Sequence, residues 1–502
     1  MFEDLLGGFA NVFTPIHIIM LFAGVFIGIL GGAIPGISGT MLVVILLPVA
    51  YGLDPIPALL LLTAVYTTSV FSGSISAILF NTPGTPEAVA TVFDGYEMTK
   101  KGKAGEALGV AIFSSATGGL IGCVFLIILT PVLASLALNF SSPEYFSLIF
   151  LALVIVSVLG GGSFVKGMIG VLIGLLIATV GLDSSSGVAR FTFDVTGLRS
   201  GIDFVAVIIG LFALAEVLRK VQEDYFTKDK TANPKTKFPG LGLLNRLKRT
   251  IGQSSLLGFF IGVLPGVGAT SASLVSYSMS SSFSKDSKSF GTGIPEGVAA
   301  PESANNSAAM GAIVPLLALG IPGSATTAVI LGAFIMNGIQ PGPLLIEQQG
   351  MLVYTIIGGL LLANLSVIVF SKPFISIFSY ILKAPYYIIG PMIVIFCFIG
   401  TYAVRNSMLD LVVMVIAGIV GYNLTKAKFP LAPMILGLVL GTMIEDHFRR
   451  ALIISGGDFS IFFTRPISAV LLALAFLSLL IPVFKWYRRR IMEKKDKVLP
   501  GQ

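Results

Sequence analysis

Charge is scarce in this chain. Only 11% of its 502 residues are Asp, Glu, Lys or Arg, while 55% are hydrophobic; an ordinary soluble domain carries roughly 25% charged residues. That balance excludes a water-soluble globular protein. Cysteine is nearly absent. Cys123 and Cys397 each sit inside an apolar run, which excludes a disulfide framework or a thiolate metal site and leaves two inert, buried thiols. The two histidines, His17 and His447, lie far apart in sequence, and neither stands beside a nucleophile in an activating pattern. No Walker motif is present, so ATP hydrolysis is not carried by this chain. Gly456-Gly457-Asp458 has Ser455 where an intramembrane aspartyl protease would have glycine. An enzyme is therefore not expected, and no cofactor is implied. The acidic start, Met1-Phe2-Glu3-Asp4, lacks the basic region of a cleavable signal peptide, so the first apolar helix is expected to serve as its own insertion signal.

What the chain has in abundance is apolar sequence. Runs of about 20 apolar residues mark membrane-spanning helices, and about a dozen can be counted. The fold expected is an all-α polytopic membrane protein in the lipid bilayer. Its 57 glycines suit close helix packing and non-helical turns at membrane depth. The net charge of +7 is concentrated in a basic segment over 219–249 and a basic tail over 485–502. Those runs read as positive-inside topology signals, placing both in the cytoplasm, and not as a nucleic-acid surface. The expected organisation is a first membrane half over 1–218, a cytoplasmic linker over 219–249, a second half over 250–484 that ends in an unpaired helix, and the tail.

Two helix-breaking stretches punctuate this pattern. Asn81-Thr82-Pro83-Gly84-Thr85-Pro86 follows the apolar run Ala58 to Phe80, and Gly320-Ile321-Pro322-Gly323-Ser324-Ala325-Thr326 follows another. Proline removes a backbone donor and glycine relaxes the chain. The freed N–H and C=O groups must be buried in protein or line a cavity. Gly28-Ile29-Leu30-Gly31-Gly32-Ala33-Ile34-Pro35-Gly36 is echoed by Gly258-Phe259-Phe260-Ile261-Gly262-Val263-Leu264-Pro265-Gly266. The two echoes come in the same order at nearly equal separations, which argues for a duplication. Inverted repeats are preferred over parallel ones, because they are common in transporters and paired breaks mark their substrate sites.

Chemistry concentrates near these breaks. Helices restarting after Pro83-Gly84 and Pro322-Gly323 would aim N-terminal N–H groups, at Gly84 and Gly323 among others, into a common cavity. Such ends favour anions. Ser38, Thr85, Ser324 and Thr326 supply hydroxyls for carboxylate oxygens. The carboxylates and amides over 290–307 can bind cations or hydrogen-bond a polar ligand, and Asn305 and Asn306 are assigned to the substrate. Asn81, Glu296 and the carbonyls of Pro83 and Pro322 can ligate Na⁺. Glu296 and Glu302 are either loop residues or functional, since a charge at the bilayer centre costs about 2.5–3.5 kcal/mol. Arg405 is open to three roles: pairing a substrate carboxylate, snorkelling to the interface, or pairing Asp410. Glu445, Asp446, Arg449 and Arg450 read as helix-end salt bridges. The plain alternative for each Pro-Gly is a structural kink.

The run Gly297-Val298-Ala299-Ala300-Pro301-Glu302-Ser303-Ala304-Asn305-Asn306, with Asn81 to Pro86, Asp94-Gly95-Tyr96, Gly320 to Ser324, Tyr402-Ala403-Val404-Arg405-Asn406 and Arg465-Pro466-Ile467-Ser468, resembles the large membrane subunit of tripartite tricarboxylate transporters, the TctA type. The resemblance runs from about Gly24 to Ile481. Ser303 departs from it, standing where alanine is expected. The resemblance implies a secondary transporter with two partners, a small four-helix membrane subunit and an extracytoplasmic solute-binding protein. It implies import of citrate-like tricarboxylates or related carboxylates, coupled to Na⁺ or H⁺, across a prokaryotic inner membrane. Three other readings stand beside it: a self-sufficient ion-coupled carrier, a passive channel and an intramembrane enzyme.

Overall fold

A computed structural model describes residues 2–159, 163–183, 186–222, 236–284, 286–381, 386–480 and 482. The basic tail over 485–502, and 223–235 of the linker, lie outside the described residues. The chain divides into two compact units, Met1–Leu138 with Ile202–Asn423, and Asn139–Gly201 with Leu424–Gln502. It is an all-α polytopic membrane protein. Among the described residues, eight helices are long and apolar enough to cross a bilayer, and four shorter apolar helices accompany them.

The first unit opens with α1 (Phe2–Asn11), α2 (Pro15–Gly32), α3 (Gly39–Tyr51) and α4 (Pro55–Phe80). Pro15 and Pro55 begin their helices, where a missing N–H costs nothing. A 3₁₀ turn at Pro86–Ala88 leads to α5 (Thr91–Lys100) and α6 (Ala104–Ala137). The second unit takes α7 (Ser142–Leu159), α8 (Phe164–Ala178) and a small hairpin pairing Gly181–Leu182 with Ala189–Arg190. The chain re-enters the first unit through α9 (Phe204–Ile208), a π-helical turn over Ile209–Leu214, and α10 (Ala215–Gln222). Then come α11 (Leu241–Val263), α12 (Gly268–Phe283), α13 (Pro295–Leu319), α14 (Ala325–Met336), α15 (Pro343–Gln348), α16 (Gly350–Ile381), α17 (Tyr386–Arg405) and α18 (Met408–Lys426). The second unit ends with α19 (Leu431–Ile454), α20 (Ile461–Thr464) and α21 (Pro466–Leu480).

The core of the first unit is built on α4 and α13. Every residue from Pro57 to Leu79 and from Gly297 to Ala318 is buried. Sequence hydropathy places a span only from Ala308; the helix in fact starts at Pro295. Its first half is rich in Ala, Gly, Ser and Asn, so it is hidden by close neighbours instead of by apolar bulk. Glycines make that approach possible. A Cβ at Gly32 of α2 would lie 2.4 Å from Ser72 Oγ and 2.8 Å from Ser69 Cα on α4. A Cβ at Gly262 of α11 would lie 2.1 Å from the Ala308 carbonyl oxygen on α13. The same small-residue spacing therefore seats α2 on α4 and α11 on α13.

Asp203 starts α9, its Oδ1 accepting from the N–H groups of Val205 (2.8 Å) and Ala206 (3.1 Å). Arg405 reaches Asp203 at 3.5 Å and Asp410 at 3.6 Å, so the structure gives it the structural pairing. Asp203→Ala removes both a helix cap and a counter-charge. It is expected to cost about 0.5–2 kcal/mol, read as a lower unfolding midpoint; an unchanged midpoint would contradict the assignment. In the second unit, Asp183 meets Arg190 (3.2 Å) and Arg449 (2.7 Å), and Glu445 meets the same two arginines (2.6 and 2.7 Å). This is the salt-bridge role read for Glu445 and Arg449.

Candidate functional site

Each break is tied to a partner within its own half of the chain. The Gly36 N–H donates to the Gly84 carbonyl at 3.3 Å, and the Gly266 N–H donates to the Gly323 carbonyl at 2.8 Å. The preceding helices end alike, α4 on Asn81 and α13 on Gly320, both in the left-handed conformation (φ 58° and 71°). Gly320 adopts it freely, and asparagine is among the few side chains that tolerate it. The Gly84 N–H donates to the Gly73 carbonyl at 3.0 Å, and Gly323 packs on Ala312 of α13. Backbone groups freed by the prolines are thus partly re-satisfied inside the protein, as a membrane interior demands.

No long helix restarts after Pro83-Gly84, contrary to expectation. Thr85 begins the 3₁₀ turn, and its buried side chain presses on Gly73. The helix start that meets the second half comes from Pro35-Gly36. Ser38 caps α3, its Oγ accepting from the Met41 N–H at 3.1 Å. Ser324 caps α14 in a reciprocal box. Its Oγ accepts from the Thr327 N–H at 3.2 Å, and Thr327 Oγ1 accepts from the Ser324 N–H at 2.7 Å. One turn in, Thr40 of α3 and Thr326 of α14 share a hydrogen bond of 2.7 Å between their hydroxyls. Ser38, Thr40 and Ser324 are half-buried, so this junction is neither sealed nor fully open. Two helix N-termini converge there, and both dipoles favour an anion. A double-mutant cycle with Thr40→Val and Thr326→Val is expected to give a coupling of about 0.5–1.5 kcal/mol. Strictly additive losses of stability would deny the contact.

Sequence reasoning missed Thr40 and two further residues here. Tyr66 of α4 lies beside Ser324, and Lys220 of α10 is 4% exposed. The Lys220 ammonium donates to the Pro35 carbonyl at 3.2 Å and lies against Gly36. The sequence alone places it in the basic linker. Its signal was the helical spacing from Glu216, continuing an apolar run into the charges.

Other expected residues lie elsewhere. Asn81 is exposed, and among the described residues no side-chain hydrogen bond joins it to the Ser38–Ser324 group. Glu296 forms a two-bond ion pair with Arg246, one bond of 2.9 Å to Nη2 and a second to Nε. Asn305 and Asn306 are buried in the middle of α13, beside Glu302. Both cysteines are buried and free; Cys123 touches the Met310 sulfur at 3.5 Å.

The sequence matches the tripartite tricarboxylate transporter TctA family over residues 18–436. The chain belongs to that family. TctA proteins are transporters, not enzymes, so this chain is a membrane component of a tricarboxylate transport system. It is 40% identical over 495 residues to an uncharacterized 52.8 kDa protein in the TAR-I ttuC′ 3′ region of Agrobacterium vitis, covering 98% of this chain and 97% of that protein. It is 43% identical over 241 residues to an uncharacterized protein in the TAR-II ttuC′ 3′ region of the same organism, covering 48% of this chain and 98% of that protein. No solved structure matches the chain.

Proposed function

We propose that this TctA-family chain is the main permease subunit of a binding-protein-dependent secondary transporter, and that it imports a citrate-like carboxylate on an Na⁺ or H⁺ gradient. The observation carrying this reading is the junction of α3 and α14 at Thr40 and Thr326. A polycarboxylate needs positive potential and hydrogen-bond donors away from bulk water. Two helix starts supply both, and the buried ammonium of Lys220 adds a full charge at the neighbouring turn. Ser38, Ser324, Tyr66 and the N–H groups of the first turns orient the carboxylate oxygens. The matching Gly36–Gly84 and Gly266–Gly323 bonds, with matching glycine seats, support two repeated halves joined by a cytoplasmic linker. The breaks are then re-entrant segments from each half. The family's tripartite character supports partners, and we assign them as a small four-helix membrane subunit and an extracytoplasmic solute-binding protein in the inner membrane of a prokaryote.

The test is reconstitution into vesicles with both partners, supplying citrate and imposing Na⁺ and pH gradients separately. Gradient-driven citrate uptake that needs both partners is expected. Uptake indifferent to either gradient would indicate a passive channel and sink the proposal. Full uptake without partners would indicate a self-sufficient carrier.

A further inference from the structure

The first unit holds a second polar cluster, built on α13 and not on the breaks. Glu302, Asn305 and Asn306 are spaced to share one helical face, and each is fully buried. Thr91 of α5 donates to Glu302 Oε1 at 2.5 Å, and Asn305 Nδ2 reaches the same oxygen at 3.5 Å. Asn306 Nδ2 donates to the Ser115 carbonyl of α6 at 3.0 Å and to Asn364 Oδ1 of α16 at 3.4 Å. Those partners are acceptors, so the nitrogen of each amide is engaged and its oxygen is left without a partner.

What is left over is three acceptor-only oxygens and three hydroxyls, whose oxygens can also ligate a cation. Glu302 Oε2, Asn305 Oδ1 and Asn306 Oδ1 are buried without a hydrogen bond, as are the hydroxyls of Ser114, Ser115 and Ser307. Beyond Thr91 and Asn305, Ser115 and Ser74 also lie beside the Glu302 carboxylate; the Ser74 hydroxyl donates to the Phe71 carbonyl at 2.7 Å, and the Ser115 hydroxyl has no partner. No charged side chain among the described residues counters Glu302. Interiors leave few polar atoms unpaired, and a buried carboxylate requires a positive partner. A carboxylate substrate does not answer this need, since it leaves the three acceptor-only oxygens unserved and sets a like charge beside Glu302. A proton satisfies one oxygen. A small hard cation satisfies several oxygens at once and carries the opposite charge.

We propose that Glu302, Asn305, Asn306 and Ser115 form an Na⁺ site. Its coupling role rests on the transporter reading above, but the binding itself does not. The site moves Asn305 and Asn306 from carboxylate to cation recognition, and it takes the ion away from Asn81 and Glu296. One bound Na⁺ neutralises Glu302 and draws the free amide oxygens toward it.

The experiment is thermal unfolding of the purified chain, titrated with NaCl against KCl and choline chloride at constant ionic strength and at two pH values. Wild type is expected to show a saturable, Na⁺-specific rise in midpoint. Glu302→Gln keeps the shape, removes the charge and should weaken the Na⁺ response at least tenfold. Asn305→Ala, expected to weaken it several-fold, serves if the first variant does not fold. A wild type indifferent to Na⁺, or a Glu302→Gln protein responding like wild type, overturns the site. A midpoint that depends on pH but not Na⁺, and loses that dependence in Glu302→Gln, also overturns it and assigns a proton instead. Na⁺ binding without any carboxylate uptake would sink the transport reading and leave this site standing. Na⁺-driven uptake intact in Glu302→Gln would do the reverse.

Discussion

Lys220→Met is expected to lower citrate uptake by about 10- to 100-fold while leaving a folded protein. Methionine fills much of the same space, so packing around Gly36 is largely kept. What is lost is the buried ammonium beside the first helix start. Charged hydrogen bonds are worth about 1.5–3 kcal/mol, and each 1.4 kcal/mol is roughly tenfold in affinity. The measurement is citrate uptake in reconstituted vesicles, paired with the unfolding midpoint. A loss of uptake with a preserved midpoint assigns Lys220 to the anion. Uptake within about twofold of wild type would make it a structural tether for the Pro35 carbonyl and remove it from the site.

The other large effect concerns the seats of the two central helices. Gly32→Leu and Gly262→Leu are each expected to abolish the folded protein, at a cost of about 3 kcal/mol or more. The obstacle at Gly262 is the Ala308 carbonyl, and at Gly32 the Ser69 backbone. Backbone cannot swing aside as a side-chain tip can. Gly252 offers the control. It lies on α11 with open space around it, so Gly252→Leu should change stability by no more than about 0.5 kcal/mol. The readout is the yield of monodisperse protein and its unfolding midpoint. Equal behaviour of all three variants would contradict the packing account. A defect at Gly262 but none at Gly32 would speak against equivalent halves.

The breaks were legible in the sequence because proline and glycine act locally. Pro35-Gly36, Pro83-Gly84, Pro265-Gly266 and Pro322-Gly323 interrupt apolar runs, whatever surrounds them. How the breaks pair was not legible. Sequence order set Pro83-Gly84 against Pro322-Gly323, whereas the backbone joins Gly36 to Gly84 and Gly266 to Gly323. Only a three-dimensional return of the chain places α3, the helix after the earlier break, against α14. The caps at Ser38 and Ser324 were readable as hydroxyls ahead of apolar runs, but their neighbours Thr40 and Tyr66 were not.

Hydropathy found the strongly apolar spans, the buried α4 among them, and missed the start of α13. That helix is hidden by neighbours pressed close against small side chains, so its polar residues carry no penalty the sequence makes visible. Lys220 was misread for a related reason. A lysine at the end of an apolar helix resembles a topology signal until the fold closes over it. The Glu302 cluster lay in a stretch whose carboxylates and amides were readable as ligands for a cation or a polar molecule, but which of their atoms stay without a partner was not.

The central claim is that the α3 and α14 helix starts hold the carboxylate. Thiol labelling of Thr40→Cys tests it most directly, with Cys123 and Cys397 replaced by alanine and the chain reconstituted with its partners in vesicles. Citrate is predicted to slow labelling several-fold over the concentration range that saturates uptake, and labelled protein should no longer transport. A labelling rate unaffected by citrate, with full uptake after labelling, would contradict the account.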